Sequence, residues 1–333
     1  MKKFIAIVLS VFLIACVFSG CSAAKRESKN KSTYKQEIQS LGVWSNDVEH
    51  AMPQTVVHKL VLNHFNSNLP EGKTEKKAIF IGYDGFRSDG IENVKDYENS
   101  AIMYIKSKGG LYHTFSGGVS GVNEQATSTA LSWMAMLTGG WSEYNGVADN
   151  GVMKKSEAKT FLTALAENGY NVSFTTSWRE HTELSYRPDI AAAVKKGLPA
   201  EYTHQLDDTA TYYQILKYVA KPAGMEKTER EDPDVIFFTL EYTDHAGHST
   251  GFGNQNPEYV EACRDIEDYG YDIIKTIESR STYANEDWLI IIGTDHGGTK
   301  TSHGGQTPFE RMTWLASNKA IDITDEYLNY AVK

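Results

Sequence analysis

The sequence predicts an α/β fold in which helices cover both faces of a mainly parallel central sheet. Short apolar runs alternate with amphipathic stretches, which is the layout of βαβ units. Three of these runs are typical of buried strands, and each leads to an aspartate at or just after its end. With 333 residues, of which 41% are hydrophobic, the chain is long enough to bury a sizeable core.

The first twenty residues predict an export signal. Lys2 and Lys3 precede an apolar run over residues 4–18, which is shorter than the roughly 20 residues of a membrane-spanning helix. The segment Phe18-Ser19-Gly20-Cys21 resembles the box that precedes the lipid-modified cysteine of bacterial lipoproteins. We therefore expect Cys21 to anchor the protein in the membrane at the outer face of the cell, with simple secretion as the alternative.

Residues 21–75 are expected to form a tether and an N-terminal segment before a folded domain over 76–333. The stretch 22–36 has five basic residues and one acidic residue, so it either lies near an anionic lipid surface or is simply solvated. Only Cys263 then remains as a free thiol, which excludes an intrachain disulfide. The apolar spacing over 256–277 predicts a helix with Cys263 in the core.

The charge of the chain argues against duplex nucleic acid as a partner. Lys and Arg total 33 against 43 for Asp and Glu, a net charge of −10, and no basic stripe occurs beyond the first forty residues. The sequence has no repeat of the length found in solenoids and propellers.

The strand-end aspartates are the first candidates for a functional site. Ligands bind beyond the carboxyl ends of the strands in open α/β sheets, so carboxylates at those ends converge. A single such aspartate is often only a turn or helix-capping residue, whereas three together favour a site. The three predicted strands and their aspartates are 77–83 with Asp84, 234–240 with Asp244, and 288–294 with Asp295.

Other segments complete the predicted layout. A helix over 157–168 leads into a strand over 170–176. Residues 179–204 follow neither the helical nor the strand period, and we expect them to form an excursion that shapes substrate access.

Histidines accompany two of the aspartates at spacings that suit metal ligands. His248 follows Asp244 by four residues, His296 is adjacent to Asp295, and His303 follows seven residues later. With Asp84 the set contains carboxylates and imidazoles but no thiolate, which suits zinc or a similar divalent ion. Six ligands exceed the needs of one tetrahedral ion, so we expect two, an arrangement that recurs in displacement at phosphorus.

A nucleophile candidate lies at the start of a predicted helix over 130–138, which ends at Gly139-Gly140. The hydroxyls of Thr127, Ser128 and Thr129 would lie at its N-terminus, where backbone N–H groups and the helix dipole favour a phosphoryl oxygen and an ionised hydroxyl. The alternative is helix capping, the commonest use of Ser and Thr at this position.

These blocks, in their order over residues 77–315, resemble the alkaline phosphatase superfamily, in particular its nucleotide pyrophosphatase/phosphodiesterase-like branch. Ile81-Gly82-Tyr83-Asp84 is similar to the strand with the first metal aspartate, and Thr129 to Gly139 to the nucleophile helix. Asp244 to His248 and Asp295 to Gly305 are similar to the remaining metal blocks.

The resemblance implies a role for each of these residues. One metal site would take Asp84, Thr129, Asp295 and His296, and the other would take Asp244, His248 and His303. Thr129 would be the nucleophile because it lies nine residues before Thr138. It would attack phosphorus to give a phosphothreonine, which metal-activated water would hydrolyse. The implied cofactors are two divalent ions, with zinc preferred, and the implied substrate is a small phosphoester.

Two departures from the family pattern bear on the substrate and on the end of the chain. Ala130-Leu131-Ser132 stands where the branch has Phe-Pro-Asn, and we expect Ser132, Trp178 and Tyr242 to contact the substrate. Relatives also continue beyond the last predicted strand, so we expect either a trimmed sheet or a longer natural chain.

Phosphodiesters or nucleotide pyrophosphates are the expected substrates. No Lys or Arg lies between Gly110 and Lys154, and Arg87 and Arg179 are the nearest cations for the extra charge of a monoester. The alternatives are a phosphomonoesterase, a sulfatase-like hydrolase, or a lipid-anchored binding protein without catalysis. A sulfatase is disfavoured because no Cys/Ser-x-Pro-x-Arg block occurs near Thr129. A cofactor-independent phosphoglycerate mutase is disfavoured because such enzymes insert a large second domain after the nucleophile segment, and only 115 residues separate Thr129 from Asp244.

Overall fold

The computed structural model describes residues 52–119, 121–150 and 158–322. Within them, eight strands form one sheet in the order β1-β3-β8-β7-β2-β6-β4-β5. Only β8 runs antiparallel to its neighbours, so the predicted mainly parallel sheet is confirmed. The strands are β1 Met52–Pro53, β2 Glu75–Tyr83, β3 Gly110–Phe115, β4 Val172–Thr176, β5 Ala200–His204, β6 Val235–Leu240, β7 Glu286–Thr294 and β8 Met312–Ser317.

Helices cover both faces of this sheet. They are needed because the apolar side chains of β2 point alternately to its two faces. Ile79 and Ile81 point into one core and Phe80 into the other. The α-helices of the described residues are α1 Val56–Asn66, α2 Ile91–Val94, α3 Ala101–Lys108, α4 Thr129–Thr138, α5 Ser142–Asn145, α6 Phe161–Glu167, α7 Arg187–Lys196, α8 Asp208–Val219, α9 Tyr242–Thr250, α10 Pro257–Glu278 and α11 Pro308–Arg311.

The predicted elements next to the candidate site are present with small shifts at their ends. β2, β6 and β7 are the three buried strands expected to lead to aspartates. The predicted helix around Cys263 is α10, and Cys263 is fully buried in it. The helix predicted from residue 157 is α6, which begins after Thr160, whose side chain accepts the N–H of Thr163. Glu157 itself lies outside the described residues.

The segment 179–204 is regular rather than an irregular excursion. It contains a π-helical turn at His181–Ser185, then α7, and then β5, which pairs in parallel with β4 as an edge strand of the sheet. All five residues of β5 are half-buried or exposed. An edge strand of this kind needs no continuous apolar run, which is why its sequence shows no clear strand period. A role of this segment in substrate access stays a prediction.

The folded domain extends further towards the N-terminus than predicted. β1 pairs with β3, and Val57 and Val61 of α1 belong to the same core as Leu131 and Met134 of α4. The boundary predicted at residue 76 is therefore too late, because the fold already includes Met52. The export signal and Cys21 lie outside the described residues. Among the helices of the described ranges, none has both the length and the apolar character needed to cross a membrane.

The three strands that lead to aspartates end at the same level. β2 lies between β6 and β7, and Tyr83 pairs with Leu240 on one side and with Thr294 on the other. The residues that follow these strands therefore share one edge of the sheet.

Candidate active site

Asp84 and Asp295 are fully buried where β2 and β7 end, and Asp244 lies in the first turn of α9, after β6. The Asp295 Oδ1 atom accepts the backbone N–H of Gly85 at 3.1 Å and that of His296 at 2.8 Å. This carboxylate thereby fixes the loop after β2 to the loop after β7.

α9 presents Asp244 and His248 on one face because they are four residues apart. The His248 Nε2 atom lies 3.3 Å from Asp244 Oδ2. His303 approaches from the loop after β7, and its Nε2 atom lies 3.7 Å from Asp244 Oδ1.

His296 lies at the centre of the cluster. Its Nε2 atom is 3.2 Å from Asp295 Oδ2, 3.5 Å from Asp84 Oδ1 and 3.3 Å from Thr129 Oγ1. Its ring stacks on His303 with 3.9 Å between the ring centres. The structure thus brings together all seven residues predicted to bind metal.

Two groups of these side chains offer ligand atoms that lie within 4.8 Å of one another. One contains Asp84, Asp295 and His296, which is the first implied metal site without Thr129. The other contains Asp244, His303 and His296, whereas the family pattern implies His248 in this second site. His248 is the most exposed of the three histidines in the cluster, with 44% of its side chain accessible to solvent. Its Nε2 atom is paired with Asp244.

The unpartnered atoms of the cluster fit divalent cations. Among the described residues, Asp84 Oδ1, Asp244 Oδ1 and Asp295 Oδ2 are buried without a hydrogen-bond partner. Such buried oxygens are costly unless something satisfies them. Their chemistry, carboxylate oxygen beside imidazole nitrogen, suits zinc or a similar ion.

In its neutral form, each of the three histidines is held in the tautomer that a metal ligand needs. Nδ1 of His248, His296 and His303 donates to the backbone carbonyls of Thr301, Gly297 and Thr127 at 3.0, 2.9 and 2.9 Å. A carbonyl only accepts, so Nδ1 carries the proton and Nε2 of the neutral ring keeps its lone pair. Contacts of this kind orient metal-binding histidines.

Burial and the closeness of the carboxylates to one another raise the pKa values of two of them. Burial and the charge of Asp244 raise the pKa of Asp84 well above its usual value, and burial and Asp84 do the same for Asp295. Burial lowers the pKa of His296 to about 3 and also lowers that of His303. Without cations, these buried groups therefore favour their neutral forms.

Asp244 and His248 behave as an ion pair. The hydrogen bond to Asp244 raises the pKa of His248 to about 9. Burial pushes the pKa of Asp244 upward, but the hydrogen bond from His248 acts against it, and the net effect lowers that pKa. A cation that binds His248 would displace a proton.

Of the three candidate hydroxyls, that of Thr129 contacts a predicted metal ligand. Thr129 is the first residue of α4, and the side chain of Ser128 makes no capping hydrogen bond there. The Thr127 hydroxyl is used elsewhere, since it donates to the Gly305 carbonyl at 2.8 Å and accepts the N–H of Gly304 at 3.1 Å. The geometry therefore favours Thr129 as the nucleophile.

Asn150 is a site residue that the sequence did not indicate. Its Oδ1 atom accepts the backbone N–H of Ala130 at 3.0 Å, so its amide lies beside Thr129 at the start of α4. Because that N–H requires an acceptor, Nδ2 is the other end of the amide and carries its two N–H donors. Asn150 therefore places N–H donors next to Thr129, from a loop whose sequence indicates only a turn.

Glu241 is a second residue that the sequence analysis did not count as part of the site. It is buried between β6 and Asp244, and burial, then the charges of Asp84 and Asp208, raise its pKa well above the usual value. Its Oε1 atom accepts the Thr239 hydroxyl at 3.0 Å. Its position directly after a buried strand is the sequence feature that could have identified it as a candidate.

Of the three expected substrate contacts, one is fully buried and one has its side chain directed elsewhere, and their contact with substrate stays a prediction. Ser132 is fully buried inside α4, and its carbonyl accepts the side-chain N–H of Gln54 at 3.3 Å. Tyr242 is two residues before Asp244 on α9, about 200° around the helix, so it faces away from the ligand cluster. Its hydroxyl contacts that of Thr209 at 2.9 Å.

Trp178 is the remaining expected contact. It follows β4 at the same edge of the sheet and is half-buried, with its ring edge-on to His181 at 4.5 Å. Its contact with substrate stays a prediction.

The two arginines nearest in sequence to the site are engaged elsewhere. Arg87 binds both oxygens of Asp89 at 2.8 and 2.6 Å and lies 4.2 Å from the ring centre of Phe309. Arg179 is largely exposed and pairs with Glu183 at 2.6 Å. Both guanidinium groups are thus paired with a carboxylate in the structure.

Several solved structures are similar to this chain at low sequence identity. A putative sulfatase from Bacteroides thetaiotaomicron is 11% identical with a TM-score of 0.53, and the match covers 78% of this chain and 71% of that one. Murine ectonucleotide pyrophosphatase/phosphodiesterase 5, in an inactive form with AMP, is 16% identical with a TM-score of 0.46, at 68% and 58% coverage. A phosphonoacetate hydrolase from Sinorhizobium meliloti is 15% identical with a TM-score of 0.45, at 67% and 56% coverage.

The chain spans less than two thirds of the length of the latter two proteins. The sequence matches none of the curated proteins with which it was compared. The model of one family, "Type I phosphodiesterase / nucleotide pyrophosphatase", matches residues 78–332, which is most of the chain. The chain therefore belongs to the type I phosphodiesterase/nucleotide pyrophosphatase family, whose members are phosphoester hydrolases of the alkaline phosphatase superfamily.

Proposed function

We propose that the protein is a metal-dependent hydrolase of phosphodiesters or nucleotide pyrophosphates that acts through a phosphothreonine. The observation that carries this proposal is the position of Thr129, whose Oγ1 atom lies 3.3 Å from His296 Nε2 at the start of α4. A hydroxyl at that place is next to both groups of candidate metal ligands.

Two divalent cations held by the seven ligand residues would supply positive charge that favours an ionised Thr129 and stabilises the phosphoryl oxygens. The N-terminal end of α4 adds to this effect through its dipole. The side-chain amide of Asn150 supplies N–H donors for a phosphoryl oxygen on the same side of the helix.

The proposed reaction has two displacements at phosphorus. Thr129 Oγ, having lost its proton to solvent, forms a bond to phosphorus while the bond to the leaving oxygen breaks, and that oxygen is protonated. Water then attacks the phosphothreonine, releases the phosphate monoester and restores the Thr129 hydroxyl.

The charge of the site favours a diester over a monoester. A monoester dianion requires an additional cationic partner. Arg87 and Arg179 are both bound to carboxylates in the structure, which supports a substrate with a single negative charge.

The test is a comparison of kcat/KM on an aryl diester, an aryl monoester, a dinucleotide pyrophosphate and an aryl sulfate, with Thr129→Ala as the blank. We expect the diester or the pyrophosphate to exceed the monoester by at least tenfold. A preference for the monoester or the sulfate would assign the enzyme to that class instead. Full metal content without any turnover would identify a binding protein.

For the cellular location, we propose that Cys21 carries a lipid that holds the domain at the outer face of the cell membrane. The box Phe18 to Cys21 and the polar tether after it support this proposal. Incorporation of an alkyne fatty acid into the wild-type protein, but not into Cys21→Ser, tests it. Unlabelled protein in the medium would indicate secretion.

A further inference from the structure

Trp133 lies directly beneath the nucleophile. It follows Thr129 by four residues on α4, so the two side chains lie on the same face of the helix. The indole is fully buried, and it meets Phe80 and Phe237 edge-on with ring centres 6.0 and 5.8 Å apart. A side chain at Gly82 would lie 2.8 Å from the ring, so this glycine provides the space for it.

The indole N–H is aimed at a predicted metal ligand. Trp133 Nε1 donates to Asp84 Oδ2 at 2.9 Å, and both side chains are inaccessible to solvent. The other carboxylate oxygen, Oδ1, has no hydrogen-bond partner in the described part of the chain and lies 3.5 Å from His296 Nε2. The two oxygens of Asp84 therefore have different surroundings.

We propose that Trp133 is a positioning residue that makes Asp84 a ligand through Oδ1 alone. An indole N–H only donates, so its bond occupies Oδ2 and fixes the rotation of the carboxylate. The same bond links the helix that carries Thr129 to a metal ligand from β2. This inference rests on the proposed metal-dependent function and names a residue that acts on the ligand rather than on the substrate.

The test measures zinc affinity by competition with a chromogenic chelator, in wild type and in Trp133→Phe. Phe keeps an aromatic ring but removes the N–H, and we expect the dissociation constant of one of two zinc ions to rise about 10- to 100-fold. Benzothienylalanine at position 133, in which sulfur replaces the N–H, keeps the shape of the ring. It should give the same result, and it provides the measurement if Trp133→Phe does not fold.

Trp288→Phe is a matched control. Trp288 also donates its indole N–H to a carboxylate, Glu286 Oε2, at 2.7 Å, but it lies near the start of β7, whereas the site follows the end of that strand. This variant should bind zinc as wild type does. Unchanged zinc affinity in both position-133 variants would overturn the inference. Wild-type protein that binds no metal would instead contradict the proposed function.

Discussion

The imidazole of His303 donates a 2.9 Å hydrogen bond to the backbone carbonyl of Thr127, two residues before Thr129. The hydroxyl of Thr127 in turn bonds to Gly304 and Gly305, which follow His303 in the chain. The segment between β3 and α4, which precedes Thr129, and the loop that carries His303 are thus fixed to each other through one threonine.

Thr127→Val should therefore lower kcat/KM about 10- to 100-fold even though Thr129, and not Thr127, is the proposed nucleophile. Valine preserves the shape but leaves the Gly304 N–H without its acceptor, which also costs about 1–3 kcal/mol of stability. Steady-state kinetics and thermal unfolding check both effects. Ser128→Ala is the control and should remain close to wild type. Equal loss in both variants, or in neither, would contradict this role for Thr127.

Thr129→Ala should reduce hydrolysis by several orders of magnitude while the fold and most of the metal affinity are retained. Alanine removes the attacking oxygen, whereas Thr129→Ser keeps it and should keep part of the activity. The measurements are single-turnover kinetics, metal content and unfolding temperature. A near-wild-type rate for Thr129→Ala would show that another hydroxyl attacks.

The protein should bind about two divalent ions per chain, and their removal should abolish turnover and lower the unfolding temperature. Three buried carboxylate oxygens without hydrogen-bond partners would coordinate the cations, and a bound species at a thousand times its Kd adds about 4 kcal/mol to stability. Elemental analysis before and after chelation, followed by zinc addition, tests this. Asp295→Asn should lose at least one ion. Full activity in chelator with no bound metal would exclude the prediction.

Asn150→Asp distinguishes two roles of this side chain: accepting the backbone N–H of Ala130 at the start of α4, and donating to a phosphoryl oxygen of the substrate. Aspartate still accepts the Ala130 N–H, so stability should change little, but it cannot donate to a phosphoryl oxygen. We expect kcat/KM to fall about 100-fold. Asn168→Asp, an exposed change of the same charge, is the control. Wild-type kcat/KM in Asn150→Asp would leave only the capping role.

Glu267 should make stability depend on pH. Burial raises its pKa to about 7, although Ser100 and the Ile102 N–H donate to the carboxylate. Between its ordinary pKa near 4.5 and about 7, the folded chain holds a proton that the unfolded chain has lost, so this contribution to stability falls as pH rises. The loss is on the order of 3 kcal/mol.

Glu267→Gln should remove this contribution because glutamine does not titrate. The measurement is the difference in unfolding free energy between wild type and variant from pH 4 to pH 8. A difference that stays constant over this range would contradict the prediction.

The clustering of these carboxylates and imidazoles could be predicted because its determinants are local in sequence. The runs before Asp84 and Asp295 are continuously apolar, as buried parallel strands require, and the ends of parallel strands share one edge. The contact of Asn150 with Ala130 spans twenty residues and depends on the path of a loop, which no periodicity encodes. The direction of Tyr242 depended on the residue at which α9 begins, and β5 was missed because an edge strand needs no apolar run.

Cys263 packs beside Gly90, in the loop that follows Asp84, and burial raises the pKa of its thiol. In a chain that begins after residue 21 it is the single sulfhydryl, since the other cysteines of the sequence are Cys16 and Cys21. A thiol reagent can reach it only when α10 separates from that loop. The rate of thiol modification therefore reports, without an added label, how often the scaffold beneath the first metal aspartate opens.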